Sequence, residues 1–545
     1  MSQSRRAFLS LTAKTAMLAA GAGLGLPSLL SAAPSGKFGT APLPVTGTSG
    51  LFGFLTPEGK LTLTAAEVPG ALPATGAPML AYKATQHGAN YLNPILVLHK
   101  GQDFEATLIN GLDEPTIIHW HGVECPWRQA GHPSYAVGPG GSYDYKFPVT
   151  NRAGTYWYHP HPHGLTARQS YLGLASFVLV TDAEEEAFTK ELDLRLGETD
   201  IPILIQDKRF AKDGSLDYSP SKDDLRMGYL GKSVLANGAQ QPTLKVATRL
   251  YRLRLLNGST ARIYNLAFLH GMTRLPFFLV GNDGGFLPAP QQLSEVFLAP
   301  AERVDVLVDL RALAPGQEVF LQNMPFDPMH KEMAGMEGME GMEGMEGMEG
   351  MEGMGHDNAG GHKAEGESPL GEGDSFTILR LLVERAQTYD RQLPQTLSAG
   401  AQPSTGAGFV RPITLALRNM DTWTINDQTF SMEDAPIVVQ KRGPEVWRVT
   451  NTQESMPHPM HLHGYFYRVL ERQGSPSQVR SRAVDVQGRL ATDLGYKDTV
   501  LVWPGETVSL FIDFGSPNYP GKQIFLFHCH NLEHEDQGMM LNVMV

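Results

Sequence analysis

Apolar residues along this chain fall in short runs separated by turn-forming residues. Between Leu80 and about Thr181 the runs include Ile95-Leu96-Val97-Leu98, Phe104-Glu105-Ala106-Thr107-Leu108-Ile109 and Ser176-Phe177-Val178-Leu179-Val180. Runs of this length, bounded by turn signals, predict strands. A second block, from about Asp193 to Glu384, has the same texture, with Ile203-Leu204-Ile205, Leu250 to Leu256, Arg303 to Val308 and Phe376 to Leu382. A third block runs from Arg411 to Val545. No long stretch carries a helical period, so the pattern predicts an all-β chain of sandwiches or barrels. The charged segment Asp182 to Glu191 predicts a connection or a short helix, and a polar, Pro-containing linker spans about 385–410.

Two segments depart from this pattern. The N-terminus carries Arg5-Arg6, then a mostly apolar run from Leu9 to Leu30 and the small residues Ser31-Ala32-Ala33. This predicts a twin-arginine signal over 1–33, with the twin-arginine export machinery as a partner and the periplasm as destination. Lys14, Gly21, Gly23, Gly25 and Pro27 make the run a poor membrane anchor. The other departure is an insertion over 329–362, between two expected strands of the second block. From Met336 to Gly353 it consists of six Met-Glu-Gly triplets, preceded by Met329 and Met333. Such a segment cannot bury a core and is expected to be disordered. Thioethers are soft ligands suited to Cu(I).

The length of 545 residues predicts about three domains, and 58 glycines and 38 prolines agree with a turn-rich chain. A net charge of -13 argues against nucleic acid as a partner. Cys125 and Cys529 are the only cysteines. If Cys529 holds a metal, Cys125 has no partner and is expected to be a small buried hydrophobe.

The candidate chemistry lies in four clusters: Ile118-His119-Trp120-His121-Gly122, His159-Pro160-His161-Pro162-His163, His458-Pro459-Met460-His461-Leu462-His463, and Phe527-His528-Cys529-His530 followed by His534 and Met539. A His-x-His pair on a strand sets both imidazoles on one face. In His528-Cys529-His530 the thiol then points away from the two imidazoles, so two metal centres can share one strand. Two His, one Cys and a weak Met form the ligand set of a blue-copper electron-transfer site.

These clusters resemble the four copper-binding signatures of the multicopper oxidases, and the chain is most similar to bacterial cuprous oxidases of the laccase-like, copper efflux type. The resemblance implies three cupredoxin-like domains, here 50–182, 190–385 and 409–545, and four copper ions. It implies a blue site of His458, Cys529 and His534 with axial Met539. It implies a trinuclear cluster with His119 and His461 on one copper, His121, His159 and His530 on the second, and His161, His463 and His528 on the third. His163 matches no ligand position. Glu535 matches an acidic position that relays protons. Where the family has a second acid this chain has Ala130, and Glu124 is the nearby candidate to substitute. Glu454 and Met456, with Met329 and Met333, are candidates to hold a substrate copper, and His458 is expected to face it. The implied activity is oxidation of Cu(I) and of phenols coupled to reduction of O2 to water, in copper tolerance. The alternatives are a laccase with an organic substrate, a non-catalytic copper-binding or storage protein, and a copper-free scaffold.

Overall fold

The structure is a computed structural model that describes residues 41–44, 47–330, 370–398 and 409–545. The export segment, Met333 and the methionine triplets lie outside these residues. Six sheets make up the described chain, two from each expected block. The first block contributes a six-stranded and a five-stranded sheet, the second an eight-stranded and a six-stranded sheet, and the third two of five strands. The fold is all-β and of the cupredoxin type.

Alternation within single strands explains how the sheets face. In the strand Asp103–Asn110, Phe104, Ala106 and Leu108 are buried while the residues between them are more exposed. Those three pack with Leu63, Leu96 and Val178 across the first sandwich. The same apolar cluster continues into the third block through Trp447, Val502 and Leu510, while the second block has a core of its own. The first and third blocks are thus packed against each other.

The charged segment forms the helix Ala183–Glu191, and the Asp182 side chain accepts from the amides of Glu184 and Glu185 at 2.9 and 3.1 Å. A carboxylate in that place caps the helix and meets its positive end. Among the described residues no helix is long and apolar enough to cross a membrane.

The strand Leu250–Asn257 departs from simple alternation, because all eight of its residues are buried. Arg252 and Arg254 face carboxylates instead of water. Arg254 Nε donates to Asp200 Oδ1 at 2.9 Å and its Nη2 to Glu185 at 2.6 Å, and Arg252 binds the same two acids. Arg254 also donates to Thr155 Oγ1 of the first block at 3.1 Å. Four buried charges therefore lock the second block to the helix that follows the first. Removing one member strands the others without water, so Arg252→Met is expected to cost about 3–5 kcal/mol. The check is calorimetry of the full chain, with a clearly lower thermal midpoint for the variant.

Candidate metal centre

The clusters meet because of strand register. Ile118–His121 and Gly154–Pro160 pair antiparallel, with His119 opposite His159 and His121 opposite Trp157. His458–Leu462 and Ile524–Cys529 pair with His461 opposite His528 and Met460 opposite Cys529. Each strand turns its His-x-His face toward the other block, and eight imidazoles converge. All eight are at most 1% exposed.

Their nitrogens approach closely. His119 Nε2 is 3.2 Å from His461 Nε2, and His528 Nε2 is 3.1 Å from His463 Nε2 and 3.5 Å from His161 Nε2. His161, His463 and His528 form one set with ligand atoms within 4.8 Å of one another, as the family pattern groups them. His121 and His159 converge instead with His119. The His530 ring centre lies 5.1 Å from that of His121 and 5.2 Å from that of His159, and neither His530 nitrogen has a hydrogen-bond partner.

The electrostatics suit a metal. Burial first, and neighbouring imidazoles second, hold His119, His121, His461 and His463 well below the usual histidine range. They are neutral at neutral pH, with lone pairs available for coordination. His119 Nδ1 donates to the Ala130 carbonyl at 2.5 Å, His461 Nδ1 to the Asp498 carbonyl at 2.8 Å and His159 Nδ1 to the Pro160 carbonyl at 2.8 Å. Such bonds fix which nitrogen faces inward. His121 Nδ1, His161 Nδ1 and His159 Nε2 are buried without a partner. A buried polar atom left unpaired is costly, and a bound cation removes that cost.

The Ala130 position thus serves the cluster through its main chain. Gly131 has φ +79°, and a Cβ there would stand 2.3 Å from the Ile118 carbonyl. The loop packs hard against the strand Ile118–His121, and that approach carries the Ala130 carbonyl to His119.

On the opposite face of Ile524–Cys529, the thiol faces a second site. Cys529 Sγ is 3.5 Å from His458 Nδ1 and 3.7 Å from His534 Nδ1. Met539 is fully buried, and its carbonyl accepts from the Cys529 amide at 3.0 Å. Burial pushes the Cys529 thiol up, so a thiolate there needs a cation beside it. His534 Nε2 donates to the Arg226 carbonyl at 2.8 Å, which directs its Nδ1 to the sulfur. Arg226 belongs to the helix Lys222–Met227 of the second block, so that block holds the His534 imidazole through a backbone carbonyl. The indole N–H of Trp423 donates to the same carbonyl at 2.7 Å.

Two carboxylates flank the imidazole cluster. Glu535 lies 3.0 Å from His528 Nδ1 and 3.5 Å from His161 Nε2. Burial raises its pKa, but His161 and His528 outweigh that and lower it to about 2. On the other side Asp498 Oδ1 is 3.1 Å from His121 Nε2, and Arg303 Nη1 donates to the same oxygen at 2.8 Å. Gly122, φ +80°, makes room for this pair: a Cβ there would meet Asp498 Oδ2 at 2.6 Å. Sequence reasoning missed Asp498, whose partner Arg303 is 195 residues away in the chain.

Other candidates land elsewhere. Glu124 accepts from Thr150 Oγ1 at 3.2 Å, and burial raises its pKa. The turn at Gly122 carries it away from the imidazoles, so Asp498, not Glu124, is the second carboxylate touching the cluster. His163 is exposed beside Phe430. Cys125 is fully buried in the apolar core. Glu454 is exposed, Met456 is buried in the core, and Met329 packs with Phe297, Val479 and Trp503. His458 is itself 0% exposed.

Residues 79–185 and 410–545 match family models described as multicopper oxidase. A multicopper oxidase of Staphylococcus haemolyticus is 30% identical over 464 residues, covering 84% of this chain and 83% of that protein. A laccase of Bacillus stratosphericus is 31% identical over 463 residues, covering 78% and 80%. The crystal structure of the multicopper oxidase McoA from Aquifex aeolicus superposes with a TM-score of 0.76 at 34% identity, covering 93% of this chain and 99% of that one. With the strand register and the convergent donor sets, these likenesses establish that the chain belongs to the multicopper oxidase family.

Proposed function

We propose that this chain oxidises Cu(I), and phenols of the laccase type, one electron at a time at His458, Cys529 and His534, and reduces O2 to water at the eight-histidine cluster. The observation that carries the reading is the register of Ile524–Cys529 against His458–Leu462. It puts a His/Cys/His donor set on one face of a strand and an imidazole cluster on the other, joined by a single residue. Four coppers would be held by these residues: one by His458, Cys529, His534 and Met539, one by His119 and His461, one by His161, His463 and His528, and one by His121, His159 and His530. Bound copper supplies one-electron redox chemistry and the affinity for oxygen.

The chain's own residues supply the rest. The Cys529 side chain and the peptides on either side of it form a covalent path to His528 and His530. The burial of all eight imidazoles excludes bulk water from the oxygen end. Reduction of O2 to water consumes four protons, which the neutral imidazoles do not carry in. Glu535, ionised and in contact with His528 and His161, is placed to pass protons inward. Asp498, pinned by Arg303, orients His121 from the opposite side.

The twin-arginine segment supports export to the periplasm, and the methionine-rich insertion supports capture of Cu(I) in copper tolerance. A laccase with an organic substrate is the second reading, favoured by the likeness to the Bacillus stratosphericus laccase.

Oxygen uptake with Cu(I) as sole reductant tests the proposal. Steady uptake by the copper-loaded chain is expected, and its absence there, with brisk uptake on a phenol, would leave only the laccase reading. Cys529→Ser is expected to abolish the intense red-light absorption of the thiolate site and all turnover while oxygen-side copper is retained. Glu535→Gln is expected to lower kcat by about a hundredfold with that absorption intact. An unchanged kcat would remove Glu535 from the proton route.

A further inference from the structure

Every ligand of the thiolate site is closed off from solvent: His458, Cys529, His534 and Met539 are each 0% exposed. A ring lies against both imidazoles. The Trp423 indole meets the His458 ring edge-on, with centres 4.6 Å apart and an interplanar angle of 72°. It lies over His534 at 5.3 Å and 35°. Trp423 sits on the short strand Thr422–Ile425, at the edge of its sheet. Its N–H is tied to the Arg226 carbonyl, the acceptor that also holds His534. The ring is therefore fixed at both ends, by its own strand and by a helix of the second block, and it is only 3% exposed.

We propose that Trp423 is a specificity-determining residue: it occupies the place where an aromatic reductant would contact the imidazoles, and so biases the site toward reductants that need no ring contact. This rests on the copper assignment given above. A planar phenol passes its electron best when its ring touches a ligand ring. Here that seat is taken by a side chain that is itself a planar aromatic of larger size. A copper ion brings no ring to be seated, so occupation of that position does not penalise it in the same way. The tether to Arg226 matters because an untied indole could swing aside and admit a substrate. Tied, and buried on all sides, it is held in that position.

The test compares two donors on the same copper-loaded chain. Trp423→Ala, Trp423→Leu and Trp423→Phe are made, and kcat/KM is measured for 2,6-dimethoxyphenol and for Cu(I) supplied as its acetonitrile complex. The readout is the ratio of the two values, in which changes of copper content, folding yield or site potential that act alike on both donors cancel. Trp423→Ala is expected to raise the phenol-to-Cu(I) ratio about tenfold or more, through a lower phenol KM, because ring contact becomes geometrically available. Trp423→Leu is expected between wild type and Trp423→Ala. Trp423→Phe, which keeps a ring in place, is expected to stay near the wild-type ratio. A ratio unchanged or lowered in both Trp423→Ala and Trp423→Leu overturns the proposal.

A second readout needs only the thiolate site and no turnover. Fluorobenzene is titrated into the oxidised protein, and its fluorine relaxation is followed by NMR. An apolar cavity the size of an aromatic ring binds such a molecule, and one beside oxidised copper relaxes its fluorine strongly. Strong relaxation in Trp423→Ala but not in the wild type supports the proposal even if the chain oxidises neither donor. Equal relaxation in the two overturns it. Absence of oxygen uptake with both donors, by contrast, bears on the function proposed above and not on Trp423.

Discussion

The pairing of His458–Leu462 with Ile524–Cys529 is the constraint on which the rest depends. In a strand pair, a slip of one residue sends every side chain to the opposite face. Here a slip would exchange Cys529 with its neighbours and separate both donor sets at once. The pairing is secured from three directions. His458–Leu462 also pairs with Thr499–Val502, Ile524–Cys529 also pairs with Met540–Met544, and the His530 amide donates to the Pro459 carbonyl at 2.6 Å. The apolar residues beside the ligands, Met460, Leu462 and Phe527, are buried, and a slip would drive them into the places of the donor side chains. Packing energy thereby enforces metal geometry.

Among the described residues the second block contributes no imidazole to either donor set, yet it is wired to both. Arg303 reaches Asp498 beside the imidazole cluster, and Lys497 Nζ lies 3.1 Å from both Asp283 and Glu302 of the second block. Buried ion pairs are poor sources of stability, because desolvation offsets their attraction. Their value here is positional. They accept only one arrangement of donors and acceptors, so they fix how the second block seats against the third and hold a carboxylate where His121 needs it. The helix Lys222–Met227 does the corresponding work at the thiolate site with a backbone carbonyl.

Much of this was legible in the chain. Strand runs, block number and the four histidine clusters follow from local pattern, because strand side chains alternate and ligands two apart must share a face. The cluster groupings came from resemblance, and the set of His119, His121 and His159 differs from it. What local pattern could not reach depends on distant pairs. Nothing around Asp498 marks it, since its meaning comes from Arg303 and His121. Arg252 and Arg254 read as the polar face of an ordinary strand, and only the docked helix Ala183–Glu191 makes them interior. Ala130 looked like a missing acid because sequence displays side chains, while the cluster uses the carbonyl of that residue.

The Arg226 carbonyl joins two matters that are usually separate. It accepts from His534, a residue of the third block, and so ties the orientation of that imidazole to the seating of the second block. Any preference of a bound ion for the oriented imidazole is, by reciprocity, an equal preference of the loaded chain for the seated arrangement. Metal loading and closure between blocks are then one equilibrium. A chain that acquires its ions thereby also becomes the more tightly assembled object.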